Sequence, residues 1–162
     1  MPQIHRIFNT LTHYRPEAQA IIHGSPKYAS ISGTALFYPF WYGTMVAVYV
    51  TGLPVSNEPC SERMHGFHIH EGPHCRGTAD VPFAQAGSHF NPANCPHPAH
   101  AGDLPVLLSN HGMAFQMVYT ERFTPNDVIG HTVIIHLNPD DYHTQPSGNS
   151  GEMIACGEIK AI

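Results

Sequence analysis

The feature that most constrains the fold is a succession of short segments rich in valine, isoleucine, tyrosine and phenylalanine. Turns containing glycine, proline or serine separate them, as in Gly24-Ser25-Pro26 and Gly52-Leu53-Pro54. Such segments are typical of β-strands, and no convincing amphipathic helix accompanies them, so the pattern predicts an all-β sandwich or barrel. The predicted strands cover residues 18–23, 29–37, 44–51, 66–70, 113–120, 132–137 and 153–159.

The length of 162 residues is that of one ordinary domain. Residues 1–16 show no clear period, so we expect an N-terminal arm followed by a single domain over residues 17–162. Residues 71–111 are dominated by glycine, proline, asparagine, alanine and histidine, and we interpret them as one very long connection. Connections of that length are usually functional or disordered.

The charge of the chain excludes one class of partner. The net charge is −5 and only 7 residues are lysine or arginine, so there is no electrostatic footprint for nucleic acid. No apolar run is long enough for a transmembrane helix, and residues 1–17 lack the apolar core of a secretory signal. We therefore expect a cytoplasmic protein without a membrane partner, or an extracytoplasmic one if a natural leader has been removed.

Histidine is unusually frequent, with 14 residues. In the segment 66–70, Phe67 and Ile69 alternate with His68 and His70. Period-two alternation places the two apolar side chains on one face of a strand and both imidazoles on the other. The imidazoles are thus free to converge on a common ligand.

The long connection carries a second group of ligands, in His97-Pro-Ala-His100-Ala-Gly-Asp103. Imidazoles with one carboxylate suit zinc in a tetrahedron, whereas four imidazoles suit copper. Six histidines and one aspartate are one donor short for two four-coordinate metals, unless one imidazole serves both. The alternative for each of these side chains alone is an ordinary polar loop residue. The seven candidates are His68, His70, His89, His97, His100, Asp103 and His136.

Five short motifs carry most of these histidines, together with the last cysteine. They are Gly66-Phe-His-Ile-His-Glu71, Ala86-Gly-Ser-His-Phe-Asn-Pro92, His100-Ala-Gly-Asp-Leu-Pro105, Gly130-His-Thr-Val-Ile-Ile-His136 and Gly148-Asn-Ser-Gly-Glu-Met-Ile-Ala-Cys-Gly157. In this order and at compatible spacings, the motifs resemble Cu/Zn superoxide dismutases of the bacterial type with a short zinc loop. The resemblance extends from about residue 18 to the end. It implies an eight-stranded antiparallel Greek-key β-sandwich or barrel with long metal-binding loops.

The resemblance also implies the cofactors and their ligands. Copper would be bound by His68, His70, His89 and His136, and zinc by His89, His97, His100 and Asp103. His89 would be the shared imidazole, which supplies the missing donor. The four copper histidines would be the catalytic residues, and superoxide the substrate, converted to oxygen and hydrogen peroxide by alternate reduction and oxidation of copper.

Further residues match supporting positions of that family. Asp140 matches an aspartate that hydrogen-bonds one copper histidine and one zinc histidine, and His65 matches a structural histidine that is not a ligand. The four cysteines form no CxxC pair, and free thiols are the default for an intracellular chain. The resemblance implies instead a disulfide between Cys75 and Cys156. The cysteines left over, Cys60 and Cys95, lead to the hypothesis of a second disulfide.

The chain departs from the family at one functional position. Where most members have an arginine that attracts superoxide, this sequence has Met153, preceded by Glu152, and the loop that guides the anion is short, at about residues 142–147. We therefore expect a slower enzyme with weak or inverted salt dependence. The runner-up is a copper- and zinc-binding relative with little or no turnover.

Two further interpretations concern a protease signature and the assembly. His70-Glu-Gly-Pro-His74 matches HExxH, but Gly72 and Pro73 are incompatible with the helix that this motif requires. We therefore reject a zinc protease. Family members are often dimeric, so the resemblance leaves a homodimer open.

Overall fold

A computed structural model describes residues 15–58, 61 and 64–162. Eight strands form a single antiparallel sheet in the order β5-β4-β7-β8-β1-β2-β3-β6. The strands are β1 Ala18–Gly24, β2 Ser32–Phe40, β3 Gly43–Thr51, β4 Met64–His70, β5 Asp103–Leu108, β6 Ala114–Thr120, β7 Thr132–His136 and β8 Met153–Ala161.

The sheet curls into a nearly closed barrel. The outermost strands β5 and β6 approach each other, and Gln116 Nε2 donates a hydrogen bond across the gap to the Pro105 carbonyl at 3.1 Å. The β3–β4 and β6–β7 connections cross between the two halves of the sheet, which is the Greek-key arrangement. The expected all-β Greek-key fold is confirmed.

Alternating inward positions fill the barrel with apolar side chains. On β1 the inward residues are Ala18, Ala20 and Ile22, and on β4 they are Phe67 and Ile69, all of them fully buried. Because the neighbours of Phe67 and Ile69 must point the other way, His68 and His70 leave the apolar core on the opposite side of β4. Core packing thus aims both imidazoles at the loops that cover this strand.

The interpretation of residues 71–111 as one connection without secondary structure is wrong. Asp103–Leu108 forms β5, which pairs with β4 at the edge of the sheet. Pro105 weakens the strand signal, but an edge strand tolerates a residue that lacks a backbone N–H. The strand predicted at 29–37 is also shifted, since it runs over Ser32–Phe40 after a 3₁₀ turn at Pro26–Tyr28.

Helical structure is short. One turn of α-helix, α1, covers Pro125–Val128, and a second 3₁₀ turn covers Ala84–Ala86. No helix within the described ranges is long and apolar enough to cross a membrane. The predicted N-terminal arm falls almost entirely on residues 1–14, which lie outside the described residues, as does Cys60.

Candidate metal centre

Strands β4 and β7 supply three histidines to one buried site. The strands are paired, with His68 opposite Ile134 and His70 opposite Thr132. His136 ends β7, where a shift in the register with β8 lies between Ile135 and His136. Such irregularities re-aim side chains next to functional sites, and here His136 comes to lie beside the two β4 histidines.

The loop before β5 is hydrogen-bonded along the edge of β4 and brings the other ligands into place. Phe90 N–H donates to the Ile69 carbonyl at 2.8 Å, and Ile69 N–H donates to the Gly102 carbonyl at 2.9 Å. Gly102 N–H in turn donates to the Phe90 carbonyl at 2.8 Å. These bonds fix His89, next to Phe90, against His70, and fix Asp103 at the start of β5.

The seven predicted ligands converge as two groups that share one ring. In each group the potential ligand atoms lie within 4.8 Å of one another, and all seven residues are buried. The first group contains His68, His70, His89 and His136, and the second contains His89, His97, His100 and Asp103.

The spacing in the second group suits a tetrahedral ion. His89 Nδ1 lies 2.7 Å from Asp103 Oδ1 and 3.5 Å from His100 Nδ1, and His97 Nδ1 lies 3.0 Å from Asp103 Oδ2. Four atoms placed tetrahedrally around zinc at its usual bond lengths are about 3.4 Å apart. The observed separations bracket that value.

Hydrogen bonds to the backbone set the tautomers of two histidines in the first group. His70 Nδ1 lies 2.8 Å from the Gly87 carbonyl, and His136 Nδ1 lies 3.1 Å from the Gly151 carbonyl. A carbonyl oxygen only accepts, so both Nδ1 atoms carry the proton and both Nε2 atoms present lone pairs. These Nε2 atoms face each other at 3.4 Å, where two acceptors cannot bond but a cation can bind both.

Three other nitrogens of the predicted ligands are buried without a hydrogen-bond partner among the described residues: His68 Nδ1, His89 Nε2 and His97 Nδ1. The contact of His97 Nδ1 with Asp103 is short but poorly aligned for a hydrogen bond. Buried polar atoms without partners are costly, and all three belong to the two groups of ligand atoms. The donor set therefore fits two bound metal ions.

Asp140 connects the two groups from outside. Its Oδ2 accepts a hydrogen bond from His68 Nε2 at 2.7 Å, and its Oδ1 accepts one from His97 Nε2 at 2.9 Å. These are the contacts expected from the sequence, and they turn the Nδ1 atoms of both rings towards the ligand groups. His65 donates from Nδ1 to the His136 and Leu137 carbonyls, both at 3.0 Å, and belongs to neither group.

The surroundings of His70 and His136 keep these rings neutral, and those of Asp140 keep its carboxylate ionised. Burial, followed by the proximity of His68, lowers the pKa of His136 to about 3, and burial also lowers the pKa of His70 well below its ordinary value. Burial alone would raise the pKa of Asp140, but hydrogen bonds from His68, the Tyr142 backbone and His97 outweigh it and hold that pKa well below normal. Neutral imidazoles and ionised carboxylates are the forms that bind metals.

Two supporting residues had escaped the sequence analysis. Arg122 Nη1 donates to the carbonyls of Pro98, His100 and Asp103 at 3.1, 3.0 and 3.1 Å, so it holds the backbone that carries the second group. Gly148, at φ +64°, lies against the Asp140 and His97 side chains, where a Cβ atom would overlap Asp140 Oδ1. Gly148 begins the last of the five motifs but had been given no role, and the contacts of Arg122 had no signature in the sequence.

Met153 lies beside the first group without bringing charge to it. It pairs with His136 across the β7–β8 ladder and packs against an apolar cluster that includes Phe83 and Cys156. The neighbouring Glu152 does not point a free negative charge at the site, because its carboxylate lies 2.9 Å from Lys27 Nζ and 3.3 Å from Tyr28 OH.

The disulfide between Cys75 and Cys156 is confirmed, with a Cα–Cα distance of 5.6 Å, and it ties the long loop to β8. Cys95 is half-buried and is bonded to none of the described cysteines. Because Cys60 lies outside the described residues, the Cys60–Cys95 bridge stays a prediction.

Comparison with known proteins identifies the family. The family model for copper/zinc superoxide dismutase matches residues 31–159. The chain belongs to the copper/zinc superoxide dismutase family. Among curated members, the Cu-Zn superoxide dismutase of Deinococcus radiodurans is 37% identical over 150 residues, which cover 82% of this chain and 79% of that protein. That of Legionella pneumophila is 34% identical over 143 residues, which cover 83% and 81%.

A solved member of the copper/zinc superoxide dismutase family also has this fold. The Cu/Zn superoxide dismutase from Brucella abortus superimposes with a TM-score of 0.72 at 26% identity, covering 88% of this chain and 99% of that one. The family resemblance stated from the five motifs is therefore confirmed.

Proposed function

We infer that this protein is a superoxide dismutase, which converts two superoxide anions and two protons into oxygen and hydrogen peroxide. The observation that carries this inference is the presence of His89 in both groups of ligand atoms. A bound copper ion supplies the electron transfer by alternating between Cu(II) and Cu(I), and zinc does not change its oxidation state. The rest of the chemistry is assigned to the side chains of the chain.

We propose that His68 Nδ1 and the Nε2 atoms of His70, His89 and His136 bind copper. His89 Nδ1, His97, His100 and Asp103 then bind zinc. The assignment follows the ring nitrogens that hydrogen bonds leave unoccupied: the second nitrogen of His68 is engaged by Asp140, and those of His70 and His136 by backbone carbonyls. A ring fixed at one nitrogen presents the other in a defined direction.

His89 has the atoms for the proton transfer. Its Nδ1 faces Asp103, and its Nε2 is buried without a hydrogen-bond partner among the described residues. We propose that Nε2 would be released from copper in the half-reaction that forms oxygen and take up one proton there. It would give that proton to peroxide in the second half-reaction, when its lone pair becomes free to bind copper again. Solvent supplies the second proton of the peroxide. The Asp103 side of the ring keeps its orientation throughout.

The test is superoxide turnover by the full chain after loading with copper and zinc, with both metals quantified in the same sample. We expect copper-dependent turnover that falls at least about 100-fold in His136→Ala, because even the loss of groups that only orient the ligands costs 10- to 100-fold. His23→Ala, which removes an exposed histidine on β1, is the matched control and should leave turnover unchanged.

A metal-binding relative without useful turnover is the second candidate, and Met153 is the observation that favours it. No positive charge stands at the position where most members have arginine, and the nearby Lys27 is engaged by Glu152. Binding of both metals with negligible turnover would establish this alternative and reject the dismutase.

A further inference from the structure

A cleft of about 410 Å³ lies between the edge strands β5 and β6, where the sheet does not close. Small-molecule sites commonly have volumes of about 300–1,000 Å³ and mostly apolar walls. Apolar residues form much of the wall here, namely Pro98, Leu104, Pro105 and Val118. The proposed dismutase reaction takes place at the metal centre and gives this cleft no role.

One side of the cleft carries an arginine whose guanidinium group is engaged on one side only. Arg122 Nη1 donates to three carbonyls of the metal-binding loop, but none of the described residues accepts a hydrogen bond from its Nε or Nη2. These two donors form a planar fork that matches the two oxygens of a carboxylate. Because Arg122 lines the cleft, the fork is available to a ligand bound there.

Two residues with hydroxyl groups line the same cleft, Thr120 and Tyr142. Tyr142 OH accepts a hydrogen bond from Val106 N–H at 3.0 Å, and Thr120 Oγ1 accepts one from Arg122 N–H at 3.2 Å. Neither hydroxyl donates to any of the described residues, and a hydroxyl that accepts one bond can still donate another. Both hydrogens can therefore be donated to an oxygen of a ligand.

The acidic groups near the cleft have other partners. Asp103 lines the cleft, but its carboxylate oxygens lie against the second group, with Oδ1 at His89 Nδ1 and Oδ2 at His97 Nδ1. Glu121 accepts a hydrogen bond from Tyr119 OH at 2.8 Å. Among the described residues that line the cleft, Arg122 is thus the one charged group left for a ligand, and the ligand should be an anion.

We propose that this cleft binds a small organic carboxylate with a compact apolar body. The carboxylate pairs with Nε and Nη2 of Arg122 and accepts hydrogen bonds from the hydroxyls of Thr120 and Tyr142. The apolar body covers the wall of the cleft and removes it from water, which a bare inorganic anion does not do. A neutral molecule of the same shape leaves the guanidinium group without its ionic partner.

Two residues of the cleft also hold the metal centre, so occupation of the cleft is coupled to zinc. Arg122 fixes three carbonyls of the metal-binding loop, and Tyr142 N–H donates to Asp140 Oδ1 at 2.7 Å. A ligand that fixes Arg122 and Tyr142 stabilises the arrangement that binds zinc, and zinc strengthens binding of the ligand by the same factor. The coupling rests on the proposed zinc ligands, whereas binding in the cleft does not.

Calorimetric titration of the full chain, loaded with zinc and Cu(I) without air, tests the site with 3-phenylpropionate as the probe. We expect a dissociation constant of about 1 mM, in keeping with the size of the probe, and binding of the neutral amide at least about tenfold weaker. Arg122→Lys keeps the charge but not the fork, and should weaken binding at least about fivefold. Tyr142→Phe should weaken it about threefold through the lost hydroxyl. Lys160→Gln removes an exposed positive charge on β8 and is the control that should leave binding unchanged.

Nitrogen-15 NMR of the same diamagnetic protein locates the probe. The largest shifts should appear at Arg122 Nε–H and at the backbone amides of Val106 and Thr120. A probe bound to copper instead would shift the resonances of His70 and His136 and would be insensitive to Arg122→Lys. Circular dichroism and zinc content of each variant, unchanged from the parent, exclude unfolding as the cause of weaker binding.

The coupling is tested by zinc transfer to a chelator. Saturation with 3-phenylpropionate should slow this transfer at least about fivefold, as typical couplings do, and its amide should not. Unchanged transfer despite binding would reject the coupling and support the site alone.

Four results overturn the site itself. They are no binding up to about 20 mM, far above the expected constant, equal binding of acid and amide, equal binding by Arg122→Lys and Lys160→Gln, and binding of inorganic phosphate as tight as that of 3-phenylpropionate. The last would mean that charge alone is recognised. Heat and chemical shifts are read without reference to turnover, so the outcome is independent of the dismutase assignment.

Discussion

At the scale of single residues, the positions of hydrogens on the imidazoles decide what the site can bind. Each ring of the first group has an acceptor-only partner or a neighbouring acidic group at one nitrogen, and the other nitrogen points into the group. Asp140 does this for two rings at once, with His68 and His97 on its two oxygens. The sequence predicted the seven side chains that the structure brings together, but not the Gly87 and Gly151 carbonyls that orient His70 and His136. Backbone acceptors have no sequence signature.

Replacing Asp140 tests this orientation. In Asp140→Asn one oxygen remains as an acceptor and the other becomes a donor, so one of the two rings loses its partner. We expect affinity for copper or zinc to fall 10- to 100-fold, as losses of such orienting groups do, in competition with a calibrated chelator. Asp141→Asn, whose carboxylate caps the adjacent turn by accepting hydrogen bonds from His143 N–H and from Thr144, should change neither affinity.

We propose that Met153, which pairs with His136, lowers the attraction of the site for superoxide by standing where most family members have an arginine. We expect Met153→Arg to raise kcat/KM several-fold, because a positive charge attracts superoxide, and to make the rate fall as salt is added. Stopped-flow turnover over a range of ionic strength measures both. Met153→Leu is the neutral control, and equal rates and equal salt dependence for the two variants would contradict this reading.

Lys27 should also affect the rate with superoxide, because it neutralises the charge of Glu152. In Lys27→Gln the Glu152 carboxylate loses its ionic partner, so an uncompensated negative charge appears next to Met153. We expect a lower rate at low salt that approaches the parent rate at high salt, in the same assay. The effect on stability should be small, since exposed ion pairs contribute little.

The depressed histidine pKa values give the metal-free protein a defined pH dependence. In the unfolded chain a histidine binds a proton below about pH 6.5, whereas burial holds the pKa of His136 in the fold at about 3. Unfolding therefore takes up protons between these values, and stability decreases as the pH falls from about 6.5, by up to about 1.4 kcal/mol per pH unit for each such ring. Thermal unfolding of the metal-free parent and His136→Phe from pH 7 to pH 4 should show a shallower dependence in the variant. An equal pH dependence of stability in the parent and the variant would contradict a contribution from His136.

At the scale of elements, the loop between β4 and β5 is where sequence reasoning succeeded least. The directions of His68 and His70 on β4 could be predicted from the sequence, because Phe67 and Ile69 alternate with them and must point into the apolar core. Strand β5 was not, because Pro105 interrupts its signal and because its first residue, Asp103, had been interpreted as part of a loop. The count of donors predicted that one imidazole serves both groups, and the family resemblance implied that this residue is His89. The position of His89 depends on backbone hydrogen bonds of Phe90 and Gly102, and no pattern of residues in the sequence predicts these bonds.

Arg122 shows how distant elements hold this loop. In Arg122→Gln the three carbonyls lose the guanidinium group that donates to them. We therefore expect zinc release to a chelator to accelerate about tenfold, as when other groups that support metal ligands are lost. Arg122→Lys keeps the charge but not the planar fork, and should restore retention only in part. Identical rates of zinc release from the parent and both variants would show that Arg122 does not stabilise the metal-binding loop.

At the scale of the whole molecule, the metal centre lies on one half of the barrel. Strands β4 and β7 carry three of its histidines, and the disulfide from Cys75 to Cys156 joins the long loop to the neighbouring strand β8. The sequence predicted the fold class because strand periodicity and core composition agree. It did not reveal that Tyr49 and Phe115 lie opposite each other, since they belong to distant segments and meet only through the register of β3 and β6.

The central claim is that one ring, His89, joins two metals. The most direct measurement is the electron paramagnetic resonance spectrum of the protein with Cu(II) loaded into both sites. Two Cu(II) ions bound to the two nitrogens of one imidazolate couple magnetically, so the signal of isolated Cu(II) should largely disappear, and it should return in protein loaded with one copper and one zinc. Two undiminished, independent copper signals in the doubly loaded protein would contradict the shared ring and with it the proposed mechanism.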